Sequence, residues 1–178
     1  MDFDFTEDQN ALRDAVARWV EKDFSFERRH SIVKKGGATR GVFRELVELG
    51  LAGLVIDASH GGLGQGPIEA MVVMEELGRG LVNAPYAAAC LVAPALLAEG
   101  DAAVTAPWLA RIADGSALVV PALQEHGARY RLDAVTTTAA QQAGGWSLSG
   151  TKHLAPAGDE ADAFVVPARM GPHAVAPI

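Results

Sequence analysis

Residues 49–64 read LGLAGLVIDASHGGLG. A short apolar run from Leu51 to Ile56 leads into a turn-forming segment, and four of the six residues from Gly61 to Gly66 are glycine. Pro67 follows, and proline suits the first turn of a helix because the N–H that it lacks has no partner there. The glycines show neither the GxGxxG spacing nor the GK[ST] ending of a nucleotide-binding loop. The stretch therefore predicts a loop between two helices.

Helical patterns lie on both sides of this loop. Thr6 and Gln9 fit a capping box at the start of the first helix. Apolar residues then recur at spacings of three and four, at Leu12, Val16, Trp19, Val20 and Phe24. After a polar loop over 34–38, we expect four more helices, over 43–49, 67–77, 85–97 and 105–112. The pattern thus predicts a helical domain over residues 1–115.

The pattern changes after residue 115 to short segments rich in Val, Thr and Ala. Gly144 and Gly145 supply a turn, after which Trp146–Ser149 alternates apolar and polar residues as a half-buried strand does. The other predicted strands are 117–123, 135–140 and 163–167. Residues 116–178 therefore form a predicted β domain.

Composition excludes several classes of function. The 178 residues carry 22 acidic and 15 basic side chains, a net charge of −7, which argues against a nucleic-acid binder. The single Cys90 cannot form an intramolecular disulfide, and no CxxC or Cys/His cluster indicates a metal site. The longest apolar stretch, 84–98, is shorter than the roughly 18–20 residues of a membrane span. We expect a cytoplasmic protein, because a lone cysteine suits a reducing compartment.

Most chemically suggestive side chains have a plain structural interpretation. Glu75 and Glu76 point about 100° apart on a helix, so we interpret both as surface charge. We expect Cys90 to fill space in a buried helix. Solvated or capping positions are expected for His60, His126, His153 and His173, and core positions for Trp108 and Trp146.

Six segments, taken in order, carry a resemblance that spans nearly the whole chain. They are Phe5–Gln9, Leu49–Leu54, His60–Gly64, Glu75–Arg79, Gly150–Lys152 and Glu160–Val166. In this order the segments resemble the opening helix, the "lGl.gl" and "yGGlG" stretch, the "eElgr", the "GTK" and the "ADlflv" strand of the acyl-CoA dehydrogenase family. No single segment decides the matter, but their order and spacing together are specific.

The resemblance implies a fold and an activity. Members of this family have an amino-terminal helical domain, a middle β-barrel and a carboxy-terminal helical domain. They bind FAD, desaturate the α–β bond of an acyl-CoA, pass electrons to an electron-transfer flavoprotein and form oligomers. We therefore expect an α+β chain in which an all-α bundle precedes an antiparallel β-barrel that is incomplete at the carboxy terminus. The family's catalytic carboxylate usually lies in the carboxy-terminal domain, so no catalytic residue is expected in this chain, which resembles an amino-terminal fragment.

Two segments align with the family's flavin-binding motifs. Counting back from Gly150 places 124–131 on "TEPGAGSD", where Glu125, Gly127 and Ala128 agree and Gln124 replaces the threonine that bonds the flavin pyrimidine edge. In the "GTKxWIT" motif, the tryptophan that packs on the flavin has become Leu154, and the hydroxyl residue near flavin N5 has become Pro156. The expected cofactor-binding residues are Leu123, Gln124, Leu154 and Pro156.

The residues Arg129, Tyr130 and Arg131 replace the GSD triplet, which in the family approaches the CoA ligand. Two arginines around a tyrosine suit a phosphate, although the same charges also suit a solvated loop. We take these three as the expected substrate-binding residues.

Two other functions stay open beside the dehydrogenase. The departures at Gln124, Tyr130, Leu154 and Pro156 are typical of a diverged, flavin-poor subunit that completes a heteromeric acyl-CoA dehydrogenase without catalysing the reaction. A flavin monooxygenase or a nitroalkane oxidase relative would share the same fold.

Overall fold

The computed structural model describes residues 4–129, 131–171 and 174–177, the last four without their side chains. Its helical elements are α1 (Glu7–Asp23), α2 (Phe26–Lys34), α3 (Arg40–Glu48), a 3₁₀ turn (Ala58–His60), α4 (Pro67–Arg79), a π-helical segment (Ala87–Val92), α5 (Ala93–Ala98) and α6 (Ala102–Ala113). The strands that follow are β1 (Val119–Pro121), β2 (Thr138–Gln142), β3 (Gly145–Ser149), β4 (Ala163–Val165), β5 (Pro167–Met170) and β6 (Ala174–Pro177). The predicted change from helices to strands near residue 115 is confirmed. Tyr130, predicted to bind the substrate, and His173, predicted to be solvated or capping, lie outside the described residues.

Helix α1 begins with the predicted capping box. Thr6 Oγ1 accepts a hydrogen bond from the Gln9 N–H at 3.2 Å, and Gln9 Oε1 accepts one from the Thr6 N–H at 3.0 Å. The helix buries Val16 and Trp19 in the main hydrophobic core, together with side chains from α3 and α4. A 2.8 Å hydrogen bond from Gln9 Nε2 to Glu69 Oε1 joins α1 to α4. The predicted apolar face of α1 is therefore the face that packs.

The sequence pattern does not predict α2, because none of the nine residues in this helix is buried. Ser25 caps it by accepting a hydrogen bond from the Arg28 N–H at 3.2 Å. The Arg28 guanidinium then donates to both carboxylate oxygens of Glu45 in α3, with Nη1 2.9 Å from Oε2. Apolar periodicity is the main sequence signal for a helix, so a helix attached by polar contacts escapes it.

The glycine-rich stretch folds back onto the apolar run that precedes it. The Leu63 N–H donates to Gly53 O at 2.9 Å, and the Gly64 N–H donates to Ile56 O at 2.8 Å. A β-carbon at Gly62 would lie 2.0 Å from Ile56 O, so no other residue fits without moving the backbone. The predicted loop is confirmed, and its glycines serve this close approach.

The helix predicted over 85–97 is present as the π-helical segment that continues into α5. It is not buried on all sides as predicted, since Val92 is 40% exposed. Pro94 lacks an N–H, and its ring would crowd the carbonyl four residues earlier in an α-helix, which accounts for the wider turn before it. Cys90 is fully buried, and burial raises the pKa of its thiol, so the predicted space-filling role is confirmed. Within the described ranges, no helix combines the length and the apolar character that crossing a bilayer requires.

The strands form two small sheets of mixed direction. β1 pairs in parallel with β4, Val119 lying opposite Ala163. β2 and β3 form an antiparallel hairpin, whose predicted turn contains Gly144 at a φ of +92°. β5 joins β2 in parallel and pairs with β6 in antiparallel fashion. The described strands therefore do not close the expected antiparallel barrel, since the long connection from β1 to β4 brings the chain back in the same direction.

Asp162 attaches the helical part to the first sheet. Its Oδ2 accepts a hydrogen bond from the Leu118 N–H at 2.7 Å and lies 2.6 Å from Nη2 of Arg40 in α3. The backbone hydrogen bond from Leu118, followed by the bond from Arg40, lowers the pKa of the Asp162 carboxyl. The carboxylate thus fixes the start of β1 against the start of α3.

The expectation that Glu76 is a surface charge is wrong. Its exposed fraction is 3%, and Arg79 Nη1 lies 3.1 Å from its Oε1. Glu75 is exposed as expected. The two neighbours differ because their side chains leave the helix in different directions, and only the direction of Glu76 meets the packed side of α4.

The core position expected for Trp146 is also wrong. Trp146 is 50% exposed and Leu148 is 45% exposed, so the face of β3 that carries these two side chains is not covered by the described residues. Trp108, by contrast, packs against the second hydrophobic cluster, formed by α5, α6 and β1, as expected.

Candidate functional site

The two segments that the sequence assigns to one site lie side by side. The His153 N–H donates a hydrogen bond to Gln124 O at 2.8 Å. Lys152, which precedes His153, pairs with Glu125, which follows Gln124, and Lys152 Nζ lies 2.7 Å from Glu125 Oε1. The structure therefore brings 123–129 and 150–156 together through one backbone contact and one ion pair.

Glu125 is the centre of this contact. Glu125 is 5% exposed. Its carboxylate accepts hydrogen bonds from two threonines as well as from Lys152. The Thr136 N–H lies 2.7 Å from Oε2, the Thr137 N–H 3.0 Å from Oε1 and Thr137 Oγ1 2.7 Å from Oε1. Thr136 Oγ1 also bonds to Oε2. A buried carboxylate is stable as an anion only when it is paired and hydrogen-bonded in this way.

Two effects oppose each other in the ionisation of Glu125. Burial favours the protonated acid, but the hydrogen bonds from Lys152, Thr136 and Thr137 favour the anion more strongly. Together they hold the pKa of the Glu125 carboxyl well below its ordinary value of 4.5. Glu125 is therefore an anion at neutral pH with no proton to donate, and its arrangement suits a structural anchor better than a general acid.

Gly150 allows the second segment to approach the threonines. A β-carbon at this position would lie 2.4 Å from Thr137 Oγ1 and 2.7 Å from Thr137 Cα. Because Thr137 Cα belongs to the backbone, a side-chain rotation cannot relieve the overlap. In the Gly-Thr-Lys sequence, Gly150 is therefore required for the close approach to Thr137, and Lys152 supplies the positive charge that pairs with Glu125.

The expected cofactor-binding residues differ in exposure. Leu123 and Gln124 are partly buried, whereas Pro156 is exposed and Leu154 is 85% exposed. Leu154 also has a φ of +53°, which is unusual for a branched side chain and is found at functional sites more often than elsewhere. An exposed apolar side chain such as Leu154 suits the face of a flavin ring, and the Gln124 amide has the donors and the acceptor that suit its hydrogen-bonding edge. Pro156 supplies neither a hydroxyl nor an N–H, so these residues fit the ring but not a donor at N5.

Arg129 and Arg131, the described members of the expected substrate-binding set, lie on the surface. Arg131 Nη2 lies 2.9 Å from Asp133 Oδ2, and both side chains are 73% exposed. Arg129 is exposed and has a φ of +51°. An exposed ion pair such as Arg131–Asp133 contributes little, so a phosphate can displace Asp133 at small cost.

His126 and His153 lie at solvated positions, as expected, and their rings also contact each other. Their ring centroids lie 5.4 Å apart, with the planes inclined by 47°. Both side chains are exposed. The two rings contact each other because the two segments that carry them are joined at Glu125 and Lys152.

Sequence reasoning missed Glu125, Lys152, Thr136 and Thr137 as site residues. One signal was available: Glu125 and Lys152 match the family motifs at places where Gln124, Leu154 and Pro156 depart from them. The two threonines gave no signal, since they were interpreted only as part of a β-branched strand.

Comparisons with known proteins agree with this architecture. Residues 6–116 match the family model described as acyl-CoA dehydrogenase, N-terminal domain. Benzylmalonyl-CoA dehydrogenase of Aromatoleum aromaticum is 29% identical over 174 residues, which cover 96% of this chain and 46% of that protein. Acyl-CoA dehydrogenase FadE12 of Mycobacterium tuberculosis is 30% identical over 170 residues, which cover 92% of this chain and 42% of that protein.

A solved structure extends the likeness to the whole chain. A chain of the ChsE4-ChsE5 complex from Mycobacterium tuberculosis superposes with a TM-score of 0.84 at 28% identity, over 100% of this chain and 48% of the other. The present chain thus spans about half the length of the relatives that it matches.

Proposed function

The chain belongs to the acyl-CoA dehydrogenase family, and we propose that the protein is an acyl-CoA dehydrogenase-like flavoprotein that desaturates the α–β bond of an acyl-CoA thioester. One observation carries the proposal beyond family membership. The two segments that resemble the family's flavin-binding motifs lie in contact, with the His153 N–H 2.8 Å from Gln124 O and Lys152 Nζ 2.7 Å from Glu125 Oε1. This contact supports a common site for one flat cofactor.

Each proposed residue has a distinct role in that site. The Gln124 amide carries both donors and an acceptor for the pyrimidine edge of the ring, and Leu154 covers part of the ring face. The Glu125–Lys152 pair keeps the two segments in register. Bound FAD would accept the hydride that leaves Cβ of the acyl group. The base that removes the Cα proton is proposed to be a carboxylate outside these 178 residues.

The wider context of the reaction is part of the same proposal. An electron-transfer flavoprotein would accept the electrons, and the protein would act as an oligomer in the cytoplasm. We also propose that residues 1–115 and 116–178 are separate domains, and that the two small sheets belong to the middle β-barrel domain of the family.

The proposed CoA contacts are Arg129 and Arg131, on either side of Tyr130. Both described arginine side chains are exposed, and an arginine fork binds phosphate oxygens in a bidentate manner. Replacing both arginines by alanine should weaken acyl-CoA binding. Unchanged binding in that variant would remove these residues from the site.

A second function is favoured by one specific position. Pro156 cannot donate a hydrogen bond to the flavin, and loss of a donor aimed at developing charge costs roughly 10²–10³ in rate. The protein would then be a non-catalytic, flavin-poor subunit of a heteromeric acyl-CoA dehydrogenase. The matched complex of ChsE4 with ChsE5 is itself an assembly of two different chains.

A visible absorption spectrum separates the two functions. The protein is purified as this chain and as any longer parent, alone and with a co-expressed partner encoded by a neighbouring gene. Flavin bands in the homomeric protein support the dehydrogenase, and turnover is then measured on a panel of acyl-CoA substrates. A colourless homomer that acquires flavin bands only with its partner supports the non-catalytic subunit.

A further inference from the structure

An apolar cavity of about 520 Å³ lies in the helical part of the molecule. Its walls come from the loop after α3, the start of α4, the π-helical segment with α5, and α6. Every described residue that lines it falls between positions 55 and 109, away from the flavin segments 123–129 and 150–156. None of the roles proposed above therefore uses this cavity.

Small side chains keep the cavity open where α5 and α6 form its wall. Ala95 and Ala98 line it from α5, and Ala102 and Ala106 line it from α6. Because an alanine side chain ends at its β-carbon, a larger residue at any of these positions would occupy the space. Sites for small molecules typically have roughly 300–1,000 Å³ and mainly apolar walls with a few polar groups. The cavity has the size and the walls of such a site.

The Thr105 hydroxyl is a polar group in this wall that lacks a partner. Thr105 lines the cavity together with Ala102 and Leu109, which lie three and four residues away on the same face of α6. The residue is 9% exposed, and among the described residues its Oγ1 has no hydrogen-bond partner. In the described part of the chain, the fully enclosed side-chain atoms without a partner are Asn83 Oδ1 and Glu160 Oε2, so Thr105 Oγ1 is still open to the space beside it. A ligand can therefore reach this hydroxyl.

The surroundings of Thr105 select the class of ligand. A largely buried hydroxyl is unfavourable without a hydrogen bond, and it can donate to a carbonyl or exchange a bond with a hydroxyl. Asp57 and His60 are the ionisable residues among the described lining, and neither is bonded to Thr105. Asp57 is exposed, and its Oδ1 accepts a hydrogen bond from the Ser59 N–H at 2.8 Å. A charged group beside Thr105 would lose water without gaining a counter-ion. We propose that this cavity binds an uncharged aliphatic molecule whose single hydroxyl or carbonyl group bonds to Thr105.

Thr105 also lines an adjoining cavity of about 430 Å³, which extends to Trp146. The two cavities can be filled separately, because Ala106 lines the first and Val104 lines the second. Ala106→Leu and Val104→Leu therefore form a matched pair of variants, in which the same side chain enters one cavity or the other.

Titration of the 178-residue chain with 1-hexanol, followed by nuclear magnetic resonance of the backbone amides, tests the site. We expect saturable shifts that centre on residues 55–57 and 102–109. Thr105→Val keeps the shape of threonine and removes the hydroxyl, so it should weaken binding roughly two- to tenfold. Thr138→Val is the control, because Thr138 is exposed on β2 and should bind hexanol as the wild type does. Ala106→Leu should abolish the saturable shifts, and Val104→Leu should leave them unchanged.

Hexylammonium tests the exclusion of charge, because it carries the same chain with an ionic end, and it should bind more weakly than hexanol. Equal or tighter binding of hexylammonium would mean that Asp57 selects the ligand, and it would overturn the proposal. Absence of saturable hexanol binding, or wild-type affinity in Thr105→Val, also overturns it. Loss of binding in Val104→Leu but not in Ala106→Leu would place the ligand in the adjoining cavity, against the proposal.

Circular dichroism checks that each variant folds. If Thr105→Val or Ala106→Leu does not fold, the comparison of hexanol with hexylammonium on the wild type decides. Flavin absorbance is recorded on the same protein without hexanol. Because the cavity and the flavin segments share no described residue, either proposal can fail alone.

Discussion

Lys152 Nζ lies 2.7 Å from Glu125 Oε1, and the two side chains are 10% and 3% exposed. Removing one partner of such a pair leaves the other as an unpaired buried charge, which typically costs about 3–5 kcal/mol. Lys152→Met should therefore lower the free energy of unfolding by an amount of that order. Urea denaturation followed by circular dichroism measures the loss.

The exposed pair Arg131–Asp133 supplies the control for this prediction. Its N–O distance of 2.9 Å resembles that of the buried pair, but both side chains are 73% exposed. Arg131→Met should leave the unfolding curve unchanged, because exposed pairs are screened by water. The double variant Glu125→Gln/Lys152→Met should cost less than the sum of the two single variants, since each single variant leaves one buried charge unpaired and the double variant leaves none. Equal effects at the two pairs would contradict the role assigned to burial.

The same carboxylate predicts a dependence of stability on pH. The pKa of Glu125 lies well below its ordinary value of 4.5 in the folded chain, so the unfolded chain binds a proton first as pH falls. Its contribution to stability is complete above pH 4.5 and decreases below that value until the folded pKa is reached. The expected slope is about 1.4 kcal/mol per pH unit for one proton.

Glu125→Gln tests this assignment, because glutamine has the shape of glutamate but no titration. Unfolding free energies are measured from pH 7 to pH 3 for both proteins. The difference between them should shrink below pH 4.5. A difference that stays constant across this range would show that Glu125 does not titrate as assigned.

The parts of the fold that the sequence predicted are those that bury an apolar pattern. Val16 and Trp19 mark the packed face of α1, and the glycines of the loop mark a close approach that only a small residue allows at Gly62. Helix α2 buries none of its residues. Arg28 attaches it to α3 through an ion pair with Glu45. Contacts of this kind depend on the tertiary structure and leave no local periodicity.

The candidate site shows the same limit. Resemblance placed Gln124 and Leu154 in one site, and the structure places their segments in contact. It did not indicate that Glu125 anchors the contact, because the donors Thr136 and Lys152 lie 11 and 27 residues away in sequence.

Gly150 gives a steric prediction. Gly150→Ala places a β-carbon 2.7 Å from Thr137 Cα, so the backbone must move and the hydrogen bonds to Glu125 must lengthen. We expect a loss of about 1–3 kcal/mol in the free energy of unfolding, the usual cost of overpacking. Thermal and urea denaturation measure it.

Gly41 is the matched control, because a β-carbon there meets no atom within 4 Å and the residue lies inside α3. Gly41→Ala should stabilise the chain by about 0.4–1 kcal/mol, since alanine restricts the unfolded state more than glycine does. If both substitutions had the same effect, the close contact between Gly150 and Thr137 would not govern the stability of the site.

Pro156 gives a prediction about the cofactor. Pro156→Thr supplies the hydroxyl that proline lacks, and one added hydrogen bond of about 0.5–1.5 kcal/mol should tighten FAD binding roughly two- to tenfold. The increase is measured by titrating the protein into FAD and following the quenching of flavin fluorescence. Pro156→Val is the control, because valine has the shape of threonine without the hydroxyl and should bind FAD no better than the wild type by this route. If valine and threonine improved binding equally, the gain would come from removing the proline ring. The proposed hydrogen bond from position 156 to the flavin would then be wrong.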